Sequence, residues 1–243
     1  MASAEARMLH LTDAAHRAEA VDALVRGEVI VTAFNGIFVL VGDADDPSVP
    51  GKVAAAKERP EAKGLALVCP PELLAEHVAV DADVLRTSYP LAQIRALYRS
   101  VHAVGVILPA AVPGAPPHIV QSETVLNVWT EQPHGSPLRD LVRDLRQRGR
   151  RALAGTSANR SGRPTITDPG QVAAAFADRV PVVLLDSFDR VPVERRCSSS
   201  LVDLTGPTPV LVREGSVPAD ELRAELRRLG LGELDVGPDI MRV

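Results

Sequence analysis

The chain is short of aromatic residues, cysteine and uninterrupted apolar runs, and it carries no excess of positive charge. Each shortage excludes something. Aromatics make up 3% of 243 residues, with one Trp and two Tyr, so a surface that stacks the bases of single-stranded RNA or DNA is not expected. Cys69 and Cys197 are too few and too far apart for a disulfide framework or a zinc cluster. Cys69 ends an apolar run and reads as a small buried hydrophobe. A formal net charge of −4 offers no global field to gather nucleic acid, although 27 Lys and Arg leave room for a local basic groove. Arg7, His10, Asp13 and Arg17 break up the N-terminal stretch, and no window approaches the ~20 apolar residues of a membrane span. A soluble, cytoplasmic protein with no membrane partner is the expectation.

What the chain does have is a 46% share of hydrophobic residues, dominated by Ala, Val and Leu and sufficient for a sizeable core. Asp13 is placed to cap a helix over 13–26, and Gly27 to end it. Val29–Thr32 and Gly36–Val41 read as strands joined at Asn35-Gly36, and a helix is expected over 48–57. Leu65–Cys69 is the next strand, followed by a helix over 70–80 that is started by Pro70-Pro71 and carries His77. Strands are also expected at 104–108, 124–129, 152–155, 180–186, 200–204 and 209–213. Helices are expected at 137–149, 169–178 and 218–229, the second of them capped by Thr167-Asp168-Pro169. Strands and helices mix without strict βαβ alternation. The expected fold is therefore α/β (α+β): a single domain with a twisted mixed β-sheet flanked by helices. Its boundaries are an N-terminal extension over 1–14, the domain over 15–215, and a C-terminal helix and tail over 216–243.

Two segments carry groups suited to holding phosphate. Lys57-Glu58-Arg59-Pro60, followed by Lys63, forms a basic turn between a helix and a strand. On spacing alone, a solvated charge run containing Glu58 and Glu61 is the plainer reading. Thr156-Ser157-Ala158-Asn159-Arg160-Ser161-Gly162 follows an apolar strand directly. Its hydroxyls and amide can bond their own loop or cradle phosphate and ribose oxygens, and Gly162 permits close backbone approach. By itself this segment is an ordinary Asx/Ser turn. Asp43 and Asp45-Asp46 read as a solvated turn rather than a metal site, and no metal ligand set is expected.

Together the two segments are more specific, because the chain resembles the YrdC-like family, which includes threonylcarbamoyl-AMP synthases. In that family a Lys-x-Arg-Pro and a Ser-x-Asn segment jointly bind ATP. Ser199-Ser200-Leu201-Val202-Asp203 and Pro209–Gly215, with Arg213, resemble two later segments of the family in the same order. The resemblance covers roughly 15–225. It implies that ATP, bicarbonate and an amino acid or other amine yield a carbamoyl adenylate and pyrophosphate, a nucleotidyltransferase reaction supplying a precursor for adenosine modification in tRNA. Lys57 and Arg59 would be the catalytic charges. Lys57, Arg59, Lys63, Thr156, Ser157, Asn159, Ser161, Ser199 and Arg213 would hold the nucleotide, with Mg²⁺ accompanying the triphosphate. No further C-terminal domain, present in longer members, is expected.

The departures from the family cluster. A Pro-Thr-x-Thr-x-(Tyr/Phe)-Gly-Leu segment stands here as Ala33–Leu40, with Phe34 and Gly36 at the threonine positions, Phe38 retained, and Val39 for glycine. A Gly-Pro-x-Thr segment aligns with His102–Gly105, and an expected arginine is Asn127. In the family these positions lie around the amino-acid end, so Phe34, Asn35, Phe38 and His102 are the candidates for a rebuilt substrate pocket. Three readings stay open: a carbamoyl-adenylate synthase for threonine or another amine; a non-catalytic or diverged relative binding nucleotide, tRNA or other structured RNA through the same basic groove; and a carbamoyl-transfer module working with a partner.

Overall fold

The computed structural model describes residues 6–59, 64–131, 137–160, 163–189 and 191–242. In chain order the strands are β1 (Arg7–His10), β2 (Ile30–Phe34), β3 (Ile37–Asp43), β4 (Ala66–Val68), β5 (Val80–Asp81), β6 (Val84–Leu85), β7 (Val104–Pro109), β8 (Val120–Gln121), β9 (Thr124–Trp129), β10 (Leu153–Ser157), β11 (Val182–Leu185), β12 (Ser200–Asp203), β13 (Val210–Glu214) and β14 (Asp235–Arg242). The helices are α1 (Ala14–Val25), α2 (Val49–Ala56), α3 (Leu91–Ser100), α4 (Pro137–Gln147), α5 (Pro169–Phe176) and α6 (Ala219–Arg228). The fold is mixed α/β, with parallel and antiparallel strand pairs and flanking helices, as expected. Its contacts divide it into two compact units, Met1–Leu65 with Pro137–Arg196, and Ala66–Ser136 with Cys197–Val243.

In the first unit the strand order is β1-β11-β2-β3-β10, parallel across the first three strands and antiparallel across the last three. β2 and β3 are buried along their whole length, which fits their near-continuous Val, Ile, Leu and Phe content. α1 begins at the Asp13 cap, whose carboxylate accepts from the backbone N–H groups of Ala15 and His16. It packs against α4 and β11, while α2 packs against β3. α5 starts as expected, with Asp168 accepting from the Gln171 N–H. Asp43 is buried against Arg150 at 3.2 Å and Asp45 pairs with Arg151, so the acidic turn is held by arginines rather than solvated. Asp43 carries a raised pKa, chiefly because burial opposes its charge.

In the second unit β4 pairs β9 in parallel, β9 pairs β7 antiparallel, and β7 pairs β12 in parallel. β12 pairs β13 antiparallel and β13 pairs β14 in parallel; β8 joins the other side of β9, and β5 and β6 form a separate small hairpin. Trp129 and Tyr98 are fully buried in this core. Cys69 is buried and Cys197 partly exposed, and the two are not joined in a disulfide.

Several expectations change. The helix expected after Pro70-Pro71 is a 3₁₀ segment, Pro71–Glu76. Its backbone closes i→i+3 bonds, Leu73 N–H to the Pro70 carbonyl and His77 N–H to the Leu74 carbonyl, both at 2.9 Å. His77, expected on that helix, ends it and is fully buried. The strand expected to stop at Gly155 continues through Thr156 and Ser157 because both keep pairing with β3. β1, α3 and β14 were not expected. α3 has a clear apolar stripe of Leu91, Ile94, Leu97 and Tyr98, all buried. β1 and β14 are defined by distant partners, β11 and β13.

Candidate functional site

The basic turn is built by the way α2 ends. Lys57 is the C-cap, with its N–H on the Val53 carbonyl. Glu58 follows with φ +52°, its N–H bonding Ala55 O at 3.1 Å, while the Arg59 N–H returns to Ala54 O at 3.0 Å. This crossed pair is a Schellman motif with a glutamate where glycine is usual. The helix therefore stops through its own capping bonds, several residues before Pro60. The consequence is that Lys57 leaves the helix pointing inward: the residue is only 5% exposed.

The Lys57 ammonium donates to the Ser157 carbonyl at 2.6 Å and to Asn159 Oδ1 at 3.4 Å. Ser157 Oγ donates to the same Asn159 oxygen at 2.5 Å. The Asn159 amide nitrogen closes the loop onto the carbonyls of Arg160 and Arg163, at 3.1 and 2.6 Å. The amide thus accepts from two directions and donates in two others, which fixes its orientation. β10 places this cradle by pairing Ser157 with Val39 and Thr156 with Leu40, after which the Ala158 N–H bonds the Phe38 carbonyl at 2.7 Å. Lys57, Ser157 and Asn159, predicted as one site, are brought into direct contact.

Arg59 is partly buried, and burial lowers its pKa. Two residues that sequence reasoning missed complete the electrostatics. Glu58 hydrogen-bonds Arg179 and lies 3.5 Å from Arg160, so it ties the basic turn to the Ser/Asn loop. The Arg179 hydrogen bond is the main reason the Glu58 carboxyl sits below the ordinary glutamate range. Arg179 also bonds the Ala56 carbonyl at 3.3 Å. Nothing in the local sequence of Glu58 announces this; only the arginines of two later segments do. A groove of about 360 Å³ lined by Glu28, Lys52, Arg179 and Pro181 lies nearby in the same unit and contains none of the predicted residues.

Of the other predicted residues, Phe34 and Phe38 are buried in β2 and β3, and Asn35 forms the turn between them with Gly36. In the second unit Arg213 donates from Nε and Nη2 to the Ser199 carbonyl, at 3.0 and 2.8 Å, and burial lowers its pKa. Ser199 is itself buried. His102 is partly buried, with its carbonyl accepting from Thr130 Oγ1. Lys63 and Ser161 lie outside the described residues. Gly215 is required by the Ser199–Arg213 arrangement, since a Cβ there would lie 2.0 Å from the Ser198 carbonyl oxygen.

The departures from the family pattern are filled by the protein's own atoms. A Cβ at Gly36 would meet Arg196 Cγ at 2.6 Å and Val191 Cγ1 at 2.9 Å, so no threonine fits there. At Gly105 it would meet Leu201 Cδ2 at 2.4 Å. Asn127 is fully buried and donates to the carbonyls of Leu67 and Cys69, both at 3.3 Å, which makes it a packing residue between strands. Among the described residues no group of three or more His, Cys, Asp or Glu is arranged to hold a metal ion, and no helix is long and apolar enough to cross a membrane.

Comparison with known proteins gives this geometry a context. A curated relative from Pyrococcus abyssi, named threonylcarbamoyl-AMP synthase, is 30% identical over 104 residues, which is 43% of this chain and 28% of that protein. The matched stretch is thus under a third of the relative's length. The structure of P. abyssi Sua5 complexed with L-threonine superposes with a TM-score of 0.74 at 20% identity, covering 96% of this chain and 63% of that one. Escherichia coli YciO superposes at 0.67 and 17% identity, covering 86% of this chain and 96% of that one. At such identities the likeness is one of fold. The family model Sua5_yciO_yrdC, described as "Telomere recombination", matches residues 22–215. On that match, which spans most of the sequence, the chain belongs to the Sua5/YciO/YrdC family.

Proposed function

We propose that the chain forms a carbamoyl adenylate in the manner of an L-threonylcarbamoyl-AMP synthase. An amine condenses with bicarbonate to give a carbamate and water. A carbamate oxygen then attacks the α-phosphorus of ATP, forming the carbamoyl–AMP anhydride and expelling pyrophosphate. Such a displacement is helped more by positioning and charge neutralisation than by a dedicated base. The observation that carries the reading is the contact of Lys57 with Ser157 and Asn159, which gathers an ammonium, a hydroxyl and an amide from segments 100 residues apart. Lys57 and Arg59 offset phosphate charge, and Ser157, Thr156 and Asn159 bond phosphate or ribose oxygens. Mg²⁺ enters as the counter-ion of the triphosphate, since the Lys57 cluster offers hydroxyl, amide and carbonyl oxygens but no set of carboxylates for it.

The filled positions at Gly36 and Gly105 favour one second reading: a diverged member that keeps the nucleotide cradle and either takes another amine or binds nucleotide or structured RNA without turnover. Pyrophosphate release with ATP, Mg²⁺, bicarbonate and a panel of amines headed by threonine separates these. Bicarbonate-dependent release that is lost in Lys57→Ala supports the synthase. Release with a different amine identifies a diverged synthase, and ATP binding without release with any amine favours the second reading.

A further inference from the structure

The groove of about 360 Å³ in the first unit is built by three segments and shares no lining residue with the Lys57 cradle. α2 contributes Lys52, Ala55 and Ala56, spaced i, i+3 and i+4 and so on one face of the helix. Glu28 and Val29 come from the turn that leads α1 into β2, and Arg179 from the connection between α5 and β11. Val29 and the two alanine methyls make its apolar part, and a bulky side chain at position 55 would fill it. A concave site of this size, with apolar walls and a few polar groups, has the ordinary form of a small-molecule site.

Its charged groups keep hydrogen-bonding capacity. Among the described residues the Lys52 ammonium donates to the Gly27 carbonyl, which leaves it further N–H groups for a ligand. Arg179 uses one N–H each on the Ala56 carbonyl, Glu58 and Asp178, and a guanidinium has five. Glu28 accepts from Arg26 Nε and Nη2 at 3.4 and 3.2 Å, an exposed pair of little strength, and its carboxylate retains lone pairs.

The charges at the groove are also balanced. Arg179 has Glu58 and Asp178 beside it, Lys52 has Asp46, and Glu28 has Arg26. No surplus positive field is left to draw a polyanion such as a nucleotide or an RNA backbone. A ligand with one charge of each sign leaves the balance as it is and engages donors and acceptor together. We propose that this groove binds a small zwitterion with an apolar body, namely an aliphatic amino acid, with its carboxylate on Lys52 and Arg179, its ammonium on Glu28 and its side chain against Val29, Ala55 and Ala56. The site is separate from the Lys57 cradle and stands whether or not the chain is a synthase.

The test uses the full chain without nucleotide or bicarbonate. L-Valine is the probe, and isovalerate and isobutylamine are its counterparts that lack the ammonium and the carboxylate respectively. Binding of each is measured by calorimetry to wild type, Lys52→Met, Glu28→Gln and Ala55→Phe. Lys52 and Ala55 are exposed and Glu28 partly so, and thermal melting checks that each variant is folded. The expected result is valine binding at least about tenfold tighter than that of either counterpart, and at least about tenfold weaker in Lys52→Met and in Ala55→Phe. Glu28→Gln is expected to weaken valine without weakening isovalerate, a difference that a purely structural role of Glu28 would not produce. No valine binding by wild type, valine binding left intact by Lys52→Met and Ala55→Phe, isovalerate bound as tightly as valine, or a Glu28→Gln loss shared by isovalerate overturns the proposal.

Discussion

The Lys57 ammonium lies 2.6 Å from the carbonyl oxygen of Ser157. That contact welds the end of α2 to the end of β10 and puts a buried positive charge at the mouth of the Ser157–Asn159 loop. The first prediction follows from it. Lys57→Ala removes a charge-assisted partner for phosphate, worth about 1.5–3 kcal/mol, and should weaken MgATP binding about ten- to hundredfold by calorimetry. Lys57→Arg should recover little of it, because a planar guanidinium does not fit where a compact ammonium is enclosed by the loop.

The left-handed Glu58 gives a second prediction. Glu58→Gly keeps the Schellman turn and should melt higher than Glu58→Ala, which retains the backbone strain and has no carboxylate to tie Arg179 and Arg160. By removing a negative charge beside the cradle, Glu58→Gly should also tighten MgATP at low ionic strength. The gain should shrink at high salt, as expected for screened charges. A salt-independent gain would mean that the turn, not the charge, had changed.

Two glycines make a paired test of packing. Gly215→Ala forces a Cβ against the Ser198 backbone, at 2.0 Å before relaxation, and should cost about 1–3 kcal/mol in urea denaturation while loosening the Arg213–Ser199 contact. Gly51→Ala, in helix α2 with open space around it, should stabilise by up to about 1 kcal/mol.

Asp43 sets a pH dependence. Its pKa is raised in the folded chain by burial, against an unfolded value near 3.8. The folded state then holds this proton more tightly than the unfolded state, so Asp43 lowers stability as pH rises from about 3.8 through its folded pKa. Asp43→Asn lacks that slope. The stability of Asp43→Asn relative to wild type should therefore increase from pH 4 towards neutrality in urea midpoints; a difference that falls over this range would show that the Arg150 pair outweighs burial.

Much of the first unit was legible because its signals are local. Asp13 caps α1, Asn35-Gly36 turns the β2–β3 hairpin, and apolar runs mark the buried strands. β1 was not, because Arg7–His10 has no apolar alternation and becomes a strand only by pairing with Val182–Leu185. α3 has a local signal, the apolar stripe of Leu91, Ile94, Leu97 and Tyr98, and was legible in principle. In the candidate site the residue types and their order could be read, whereas the contacts could not. That Lys57 turns inward depends on Glu58 adopting a positive φ, and the turn glycine Gly36 is covered by Val191 and Arg196 from a much later segment. The filled positions at Gly36 and Gly105 are likewise explained by Arg196 and Leu201, which no local pattern connects to them.

The most direct test of the central claim is detection of the adenylate itself. The full chain is incubated with ATP, Mg²⁺, ¹³C-bicarbonate and each amine of the panel, and AMP adducts are read by mass spectrometry. The account predicts an AMP adduct that carries the bicarbonate label and the mass of one amine, formed by wild type and lost in Lys57→Ala. ATP binding that depends on Lys57, with no labelled adduct from any amine, would contradict it.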